Sequence, residues 1–456
     1  MEEAKAFLAA HPEIEAFDIL LTDSSGVGRG KIIRREELPG FYEHGRHLPT
    51  SLLGLDIMGE DVPEAGLLWE GGDGDQRAWP VPGTLVPLHG TSPARGQVMM
   101  TVHHLDGRPV LADPRQVMLR QVKALEAEGF RPAGAFELEF FLLARGLDAN
   151  GKARPAPAVL DGRESSKTEV YSLDHLQGME PLFSAIYADA KGQGIPAETV
   201  ISEFAPGQYE LTLHYRTDIM RAADDLVMLK RIVRAQARRF GLDACFMAKP
   251  VEGHPGSGMH FHISLPDLDG RNAFTETQDG EWPATLLHAL GGLATTMSDG
   301  MLVFAPHANS WRRFVANAYA PVAPSWGVNN RSVALRVPAS EPVARRIEHR
   351  VAGVDANPYL IAATVLAGIR KGLTERIDPG PETVGNGYAE DRPAAPFPAL
   401  PEDWRSAIRA AEASPFLKDA LGEEMHRVFT AIKRAEYLRV ARSVTELDFR
   451  LYLHEV

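Results

Sequence analysis

The chain has 456 residues, 44% of them hydrophobic and 24% charged, which is the composition of a globular protein with room for two or three domains. Its 61 acidic residues against 48 basic ones give a net charge of −13, which argues against nucleic acid as a partner. The single cysteine, Cys245, excludes an internal disulfide, the start Met1–Glu2–Glu3 has no apolar leader, and no apolar run reaches bilayer length, so a soluble cytoplasmic protein with no membrane partner is expected.

Residues 1 to about 105 read as small and β-rich. Phe17–Leu21 and Arg29–Ile33 read as short strands around Asp23–Ser24–Ser25–Gly26, a hairpin signal. The glycines of 26–30 lack the Lys-Ser/Thr ending of a phosphate loop and lead into a strand, so a glycine-rich turn is expected. Gly54 to Gly90 is dense in Gly, Pro and Asp and reads as long loops, and Val98–His103 as a further strand. Asp113–Pro114 then opens a helix running to Gly129, with Asp as cap and Pro in the first turn. A boundary near residue 107 divides the chain into an N-terminal domain, 1–106, and a catalytic domain, 107–456. Helices are expected near 174–191, 217–240 (capped by Thr217 and ended by Gly241), 284–300 and 358–372. Gly151–Ser166 reads as a polar loop, Asp378–Pro401 as a Pro/Gly-rich surface segment, and 402–454 as helices. Strands and helices interleave without a steady βαβ rhythm, so the fold class is α+β.

Five stretches carry a pattern of their own. In Ala135–Leu142, Phe136, Leu138, Phe140 and Leu142 share one strand face and Glu137 and Glu139 the other. Gln208–His214 aligns Glu210, Thr212 and His214, shortly after Glu203. Gly258–Leu265 aligns His260, His262 and Ser264 opposite Met259, Phe261, Ile263 and Leu265. Arg331–Val337 and Arg346–Val351 follow, the latter grouping Arg346, Glu348 and Arg350. Each alone reads as a sheet with one wet face. Together they supply five carboxylates and an imidazole, a donor set suited to Mg²⁺ or Mn²⁺. Arg313, Arg331, Arg336, Arg346 and Arg350 add groups that grip phosphates and carboxylates. Acid-bound metals beside arginines point to phosphoryl transfer from a nucleotide.

The ordered set Phe136–Phe140, Pro206–Glu210, Gly256–Ser264, Asn329–Arg336 and Arg345–Arg350, continued by Asp355–Tyr359, resembles the glutamine synthetase family from about residue 14 to the end of the chain. The resemblance implies a β-grasp-like N-terminal domain and a catalytic domain with a curved antiparallel sheet forming an open barrel. It further implies ATP and two to three Mg²⁺ or Mn²⁺ ions per site, and a homo-oligomer, a dodecamer of two hexameric rings, whose sites are completed by the neighbour's N-terminal domain. Glu139, Glu203 and Glu210 would hold one metal, and Glu137, His260 and Glu348 the other. Gly256, Arg313 and Arg350 would bind glutamate. His262, Ser264, Tyr215, Arg336 and Arg346 would meet ATP, with Arg331 and Arg336 stabilising the transferring phosphate.

Departures from the family pattern fall on the ammonium side. The Asp-Gly-Ser-Ser segment that helps bind ammonium is replaced in His47–Asp56, and Pro80–Val81 stands near a second lost acid. Tyr319 or Ala320 takes the place of the flap glutamate, and Pro255 that of an asparagine. With Leu20–Asp23, Arg29–Lys31, Ser325–Arg331 and Ala248–His260, this resembles the γ-glutamylputrescine branch. The implied reaction is ATP-dependent ligation of the glutamate γ-carboxylate to an alkyl amine, putrescine or another polyamine. Ordinary glutamine synthesis, a γ-glutamyl-monoamine ligase and a catalytically silent relative stay open. Asp56 is a candidate base for the amine, and the acids at Glu60, Asp61 and Glu64 are candidate partners for a distal ammonium. Tyr388 stands about where some relatives carry a regulated tyrosine, but its surroundings do not keep that motif and no modification is expected.

Overall fold

A computed structural model describes residues 1–149, 151–275, 281–389 and 396–456. Two sheets organise it. The first contains β1 (Ala16–Thr22), β2 (Gly28–Arg34), β3 (Arg46–Pro49), β4 (Asp75–Pro80), β5 (Val86–Leu88) and β6 (Arg95–His103). Its order is β2-β1-β6-β4-β3, with β5 also on β6. The β1–β2 hairpin closes as the sequence indicates. The Asp23 carboxylate accepts from the Ser25 and Val27 amides, both at 2.9 Å, and from Arg29 Nε at 2.8 Å. Gly26 supplies the left-handed residue of the turn, at φ +78°.

The expectation of loops across 54–90 fails at β4 and β5. Each contains a proline, which argues against a strand on pattern alone. Pro80 ends β4, however, and β5 pairs only with β6, so neither ring interrupts a ladder on both sides. Short helices α1 (Glu2–Ala10) and α2 (Leu38–His44), and strand β3, are likewise absent from the sequence reading.

The second sheet contains β7 (Ala133–Leu147), β8 (Ala153–Pro155), β9 (Ala197–Ser202), β10 (Gln208–Leu213), β11 (Leu242–Cys245), β12 (Phe261–Ser264), β13 (Trp326–Val328), β14 (Leu335–Val337) and β15 (Ile347–His349). Its order is β13-β14-β15-β12-β7-β10-β9, and β8 and β11 pair with the far end of β7. The pairing is antiparallel except between β13 and β14, and the sheet curls into a half-barrel. Period-two alternation does the sorting. Phe136, Leu138, Phe140 and Leu142 are wholly buried on the convex side, where Phe136 stacks on Phe261 at 4.4 Å. Glu137 and Glu139 face the hollow.

Helices cover the convex side: α3 (Pro114–Ala127), α4 (Leu173–Gly178), α5 (Glu180–Gly192), α6 (Ile219–Arg239), α7 (Ala284–Phe304) and α8 (Pro358–Glu375). After them come α9 (Trp404–Ala413), α10 (Pro415–Leu421), α11 (Glu423–Arg442) and α12 (Glu446–Tyr452). Asp113 caps α3 as expected, accepting from the Arg115 amide. Asp218, not Thr217, caps α6, accepting from the Met220 amide at 3.0 Å. The helix expected over 174–191 is two, α4 and α5. The strand expected over 331–337 is shortened to β14, because the Asn330 side chain accepts from both the Ser332 amide (2.9 Å) and hydroxyl (2.6 Å) and folds 330–334 into a turn. Residues 378–389 and 396–401 run as irregular chain, while 390–395 of that expected surface segment lie outside the described residues. The larger core joins the second sheet to α3 and α5–α8. A second core under the first sheet takes Val428 and Ile432 from α11, so the end of the chain is bound to its first hundred residues. No helix among the described residues is long and apolar enough to cross a membrane.

The α7–α8 pair is set by glycine. A Cβ at Gly372 would lie 2.0 Å from the His288 carbonyl oxygen, and one at Gly292 would lie 2.2 Å from that of Gly368. Gly372→Ala should therefore destabilise the fold by about 1–3 kcal/mol or more in urea unfolding, the range for overpacking. Gly40→Ala in α2, where the added methyl meets nothing within 4 Å, should stabilise it by about 0.5–1 kcal/mol. Equal midpoints for the two variants would contradict this account of the helix contact.

Candidate active site

Register brings the acids together. Glu139 on β7 is directly opposite Glu210 on β10. Antiparallel pairing of β12 with β7 and β15 places His262 opposite Ala135 and Glu348. Directly opposed residues on one face stand about 5 Å apart. Ligand atoms of Glu137, His260 and Glu348 accordingly lie within 4.8 Å of one another, and so do those of Glu139, Glu210 and His260. His260 thus stands between the two groups. Glu203, just past β9, lines the same cavity outside both triads.

Three of the acids are held by defined partners. Glu137 accepts from His260 Nδ1 and His262 Nε2, both at 2.7 Å. Arg346 Nε donates to His262 Nδ1 at 3.1 Å, which fixes the tautomer that donates to Glu137. The Gly258 amide donates to Glu139 at 2.6 Å. Arg336 donates to Glu348 at 2.7 Å, and Arg350 grips the other oxygen of that carboxylate. Burial alone would raise Glu348, but Arg350, His262 and His260 outweigh it and draw its pKa down to about 2. Glu210 has no such cation. Burial, then the charges of Glu137, Glu139, Glu203 and Glu348, push it up to about 10. Burial and Glu139 push Glu203 up to about 7. The protein's own groups therefore leave two carboxyls short of positive charge, and the oxygen-rich donor set with one imidazole fits a hard divalent cation.

The cavity holds about 420 Å³ and is also lined by Gly256, Arg313, Arg331, Arg336 and Arg350. Arg313 is buried, and its guanidinium donates to the Val351 and Arg350 carbonyls at 2.8 and 3.2 Å. Position 256 must be glycine, since a Cβ there would meet the Ala248 carbonyl oxygen at 2.2 Å. Part of the wall is apolar. Val170, Tyr171, Ile201, Phe204, Pro255, Ala318 and Tyr319 form it, with Phe204 and Tyr319 stacked at 5.7 Å. Sequence reasoning singled out Tyr319 and missed Tyr171, Ile201 and Phe204. Their strand and loop contexts carry no periodic signal.

Other expected residues lie elsewhere. Within one chain Asp56 does not reach the cavity. It is buried in its own turn, accepts from the Met58 and Glu60 amides at 2.8 and 2.9 Å, and pairs with Arg439 at 2.9 Å. Glu60 is taken by Arg439 as well. Ala320 is buried and offers no flap side chain; its carbonyl accepts from the Tyr388 hydroxyl at 3.1 Å. Tyr215 is exposed beside His214, outside the acid cavity, and Ser264 ends β12 half-buried.

Residues 111–452 match the family described as glutamine synthetase, catalytic domain. Over 452 residues the chain is 38% identical to the γ-glutamylputrescine synthetase PuuA of Escherichia coli (strain K12), covering 99% of this chain and 94% of that protein. It is 31% identical over 459 residues to the γ-glutamylethanolamide synthetase GlnA4 of Streptomyces coelicolor, covering 99% and 95%. A solved structure titled GmaS/ADP complex superimposes with a TM-score of 0.85 at 28% identity, covering 98% of this chain and 99% of that one.

A cation that needs Glu210 and Glu203 charged must displace their protons. Calorimetric titration with MgCl₂ or MnCl₂ at pH 7, in buffers of different ionisation heat, should show net proton release, and Glu210→Gln should reduce it. Heats independent of buffer would contradict the electrostatics above. Stability follows the same sign. A folded-state pKa of about 10 against an ordinary 4.5 means a contribution fully present below about pH 4.5 and lost as pH rises toward 10. Added metal should therefore raise Tm more at pH 9 than at pH 6.

Proposed function

The chain belongs to the glutamine synthetase family of ATP-dependent ligases, and from that premise we propose that it joins the γ-carboxylate of L-glutamate to an alkyl amine, putrescine or another polyamine, in preference to ammonium. The observation that carries this reading is the division of the cavity. Among the described residues, all five of its carboxylates belong to one cluster shared with the arginines, and Val170, Tyr171, Ile201, Phe204, Pro255, Ala318 and Tyr319 add an apolar stretch of wall that carries no acid. Ammonium is small and strongly hydrated and needs an acidic cage, whereas an alkyl chain gains from burial against rings. The names of the two relatives above, and of a glutamate–isopropylamine ligase from Pseudomonas sp. at 29% identity over 90% of this chain, point the same way.

In the proposed reaction the glutamate γ-carboxylate attacks the γ-phosphorus of ATP and ADP departs, giving γ-glutamyl phosphate. The neutral amine then attacks the acyl carbon, and phosphate leaves as the amide forms. Activation is needed because a free carboxylate would have to expel oxide. Divalent cations held by Glu137, Glu139, Glu203, Glu210, His260 and Glu348 would supply charge neutralisation on the phosphates. Arg331 and Arg336 would stabilise charge on the transferring group, and Arg313, Arg350 and Gly256 would fix glutamate. His262, Ser264, Tyr215 and Arg346 are assigned to the nucleotide side. The amine enters as an ammonium of pKa roughly 10 and must lose a proton. Asp56 of the same chain is held by Arg439 and does not reach the cavity, which leaves a carboxylate of the metal cluster as the other candidate to take it. A homo-oligomer, a dodecamer of two rings, belongs to the same proposal. Exposed Leu447, Phe449, Leu451, Tyr452 and Leu453 on and after α12 support it as a face that requires cover.

A monoamine is the second reading. It is favoured because, among the described residues, no carboxylate lining the cavity lies apart from the cluster, so the far ammonium of a diamine has no acid of its own there.

Phosphate release with ATP, metal, glutamate and an amine panel should give a higher kcat/KM for putrescine, ethanolamine or isopropylamine than for ammonium. Ammonium as the best substrate would reject the reading. Phe204→Ala should raise KM for the preferred amine about tenfold, the scale of the alkyl surface that its half-exposed ring would cover, and leave kinetics with ammonium nearly unchanged. Glu137→Ala should lower turnover by roughly 10²–10³-fold or more, the scale of losing one electrostatic element of a site, with Tm largely retained. Undiminished turnover would remove Glu137 from the metal set.

A further inference from the structure

A second cavity, of about 880 Å³, lies between the first sheet and the outer face of α6, away from the acids. Lys230, Arg234 and Arg238 succeed one another at intervals of four along that face and all line the cavity. Arg231 of α6 and Arg95 of β6 line it too. Like charges at this spacing repel, and concavity reduces the water that would screen them.

Only part of the charge is matched. Asp18 binds both Arg95 and Arg231, each at 3.0 Å, and so serves two cations. Among the described residues no carboxylate lies within salt-bridge distance of Lys230, Arg234 or Arg238. Arg234 is steadied by the Phe246 ring, 4.7 Å from its guanidinium. Lys230 donates to the Val354 carbonyl at 2.5 Å, and burial followed by Arg234 pushes its pKa down to about 7. Of the other acids of the cavity, Asp189 takes Gln236 and faces His89 at 3.5 Å, and Asp355 takes the Ser310 hydroxyl at 2.7 Å with one oxygen while its charge partly offsets that of Lys230. On a chain of net charge −13, three neighbouring basic side chains thus face one concavity with no carboxylate within salt-bridge distance of them among the described residues.

One segment borders both cavities. His307 and Asn309 line the cationic one, and the turn continues through Ser310 to Arg313, which lines the acid one. Asn309 is clamped to the Lys249 backbone by two hydrogen bonds of 2.9 Å, and Ser310 to Asp355. A displacement on one side is therefore passed to the other with little slack.

We propose that this cleft binds a small, multiply charged anion, a polycarboxylate or a phosphate ester, and that occupancy is felt at Arg313 through the 307–313 turn. The binding half stands apart from the reaction proposed above; the coupling half rests on it.

The test is calorimetric titration of the full-length protein with citrate and, separately, inorganic pyrophosphate in buffer without divalent metal, against sodium acetate at equal ionic strength. Comparison of the two arms tells carboxylate from phosphate preference. Wild type and Arg336→Ala, which alters only the acid cavity, should bind one of the two polyanions. The double variant Arg234→Gln/Arg238→Gln keeps both side-chain stems and should bind at least about tenfold more weakly, the loss of two charge-assisted hydrogen bonds. Its Tm and basal turnover should match wild type. No binding by wild type, binding equally weakened by Arg336→Ala, equal binding by the double variant, or an equal effect of acetate would each overturn the site. With free metal held constant, the bound anion should change KM for glutamate at least about twofold in wild type and not in the double variant, a difference of about 0.4 kcal/mol or more by the usual conversion. An unchanged KM alongside intact binding would overturn the coupling alone.

Discussion

Like-charge crowding on one concave face is the constraint to which the rest of the fold answers. Five carboxylates project into one hollow, and two of them, Glu210 and Glu203, keep raised proton affinities despite the arginines around them. A sheet curled in the opposite sense would spread those side chains apart. The strand β7 makes the crowding unavoidable, because its alternate residues are committed to the core. Phe136, Leu138 and Phe140 cannot turn outward without exposing rings and aliphatic groups at about 1.5–3 kcal/mol each. Hydrophobic burial on the convex side thus holds an electrostatically unfavourable arrangement on the concave side.

Compensation is uneven, and the unevenness is informative. Glu348 and Glu137 are fully matched, the first by Arg336 and Arg350, the second by His260 and His262. Those four groups sit on or directly beside β14, β15 and β12, one side of β7. On the other side β10 and the end of β9 bring Glu210 and Glu203 with no cation of their own. The asymmetry leaves carboxyl oxygens that a divalent ion would suit and, in the proposed reaction, guanidinium groups for anionic ligands. A fully paired cluster would be more stable and would bind nothing.

The parts of this arrangement fixed by local chemistry were legible in the chain. Alternation marked β7 and β10, Asp113–Pro114 marked α3, and the Asp23 turn marked the first hairpin. The parts fixed by tertiary packing were not. Strands β4 and β5 hold prolines that are tolerated only at a strand end or on a strand paired on one side, and the turn at 330–334 depends on one asparagine side chain rather than on periodicity. Asp56 reads as a free acid in sequence and is neutralised by Arg439, nearly the whole chain away. The aromatic wall is the hardest case. Tyr171, Phe204 and Tyr319 come from three loops with no common pattern, and only the fold puts them on one surface.

That wall stores backbone strain. Tyr171, Asn317, Tyr319 and Asn329 all take positive φ, between 49° and 63°, at or beside the mouth of the acid cavity. Asparagine tolerates that region, but a tyrosine there costs on the order of 1–2 kcal/mol. Two such tyrosines in a rim of few residues persist only because neighbouring contacts over-determine them, and the stacked Phe204–Tyr319 pair is one of these. What the strain secures is a ring surface of fixed shape next to the acids. Each methylene buried against such a surface is worth about 0.8 kcal/mol, so a four-carbon chain gains roughly 3 kcal/mol, or about two orders of magnitude in affinity. Bare ammonium gains none of this and still has to shed its water. In the proposed reaction, discrimination among amines therefore rests on hydrophobic contact along the chain, and the carboxylates remain free to serve the metal.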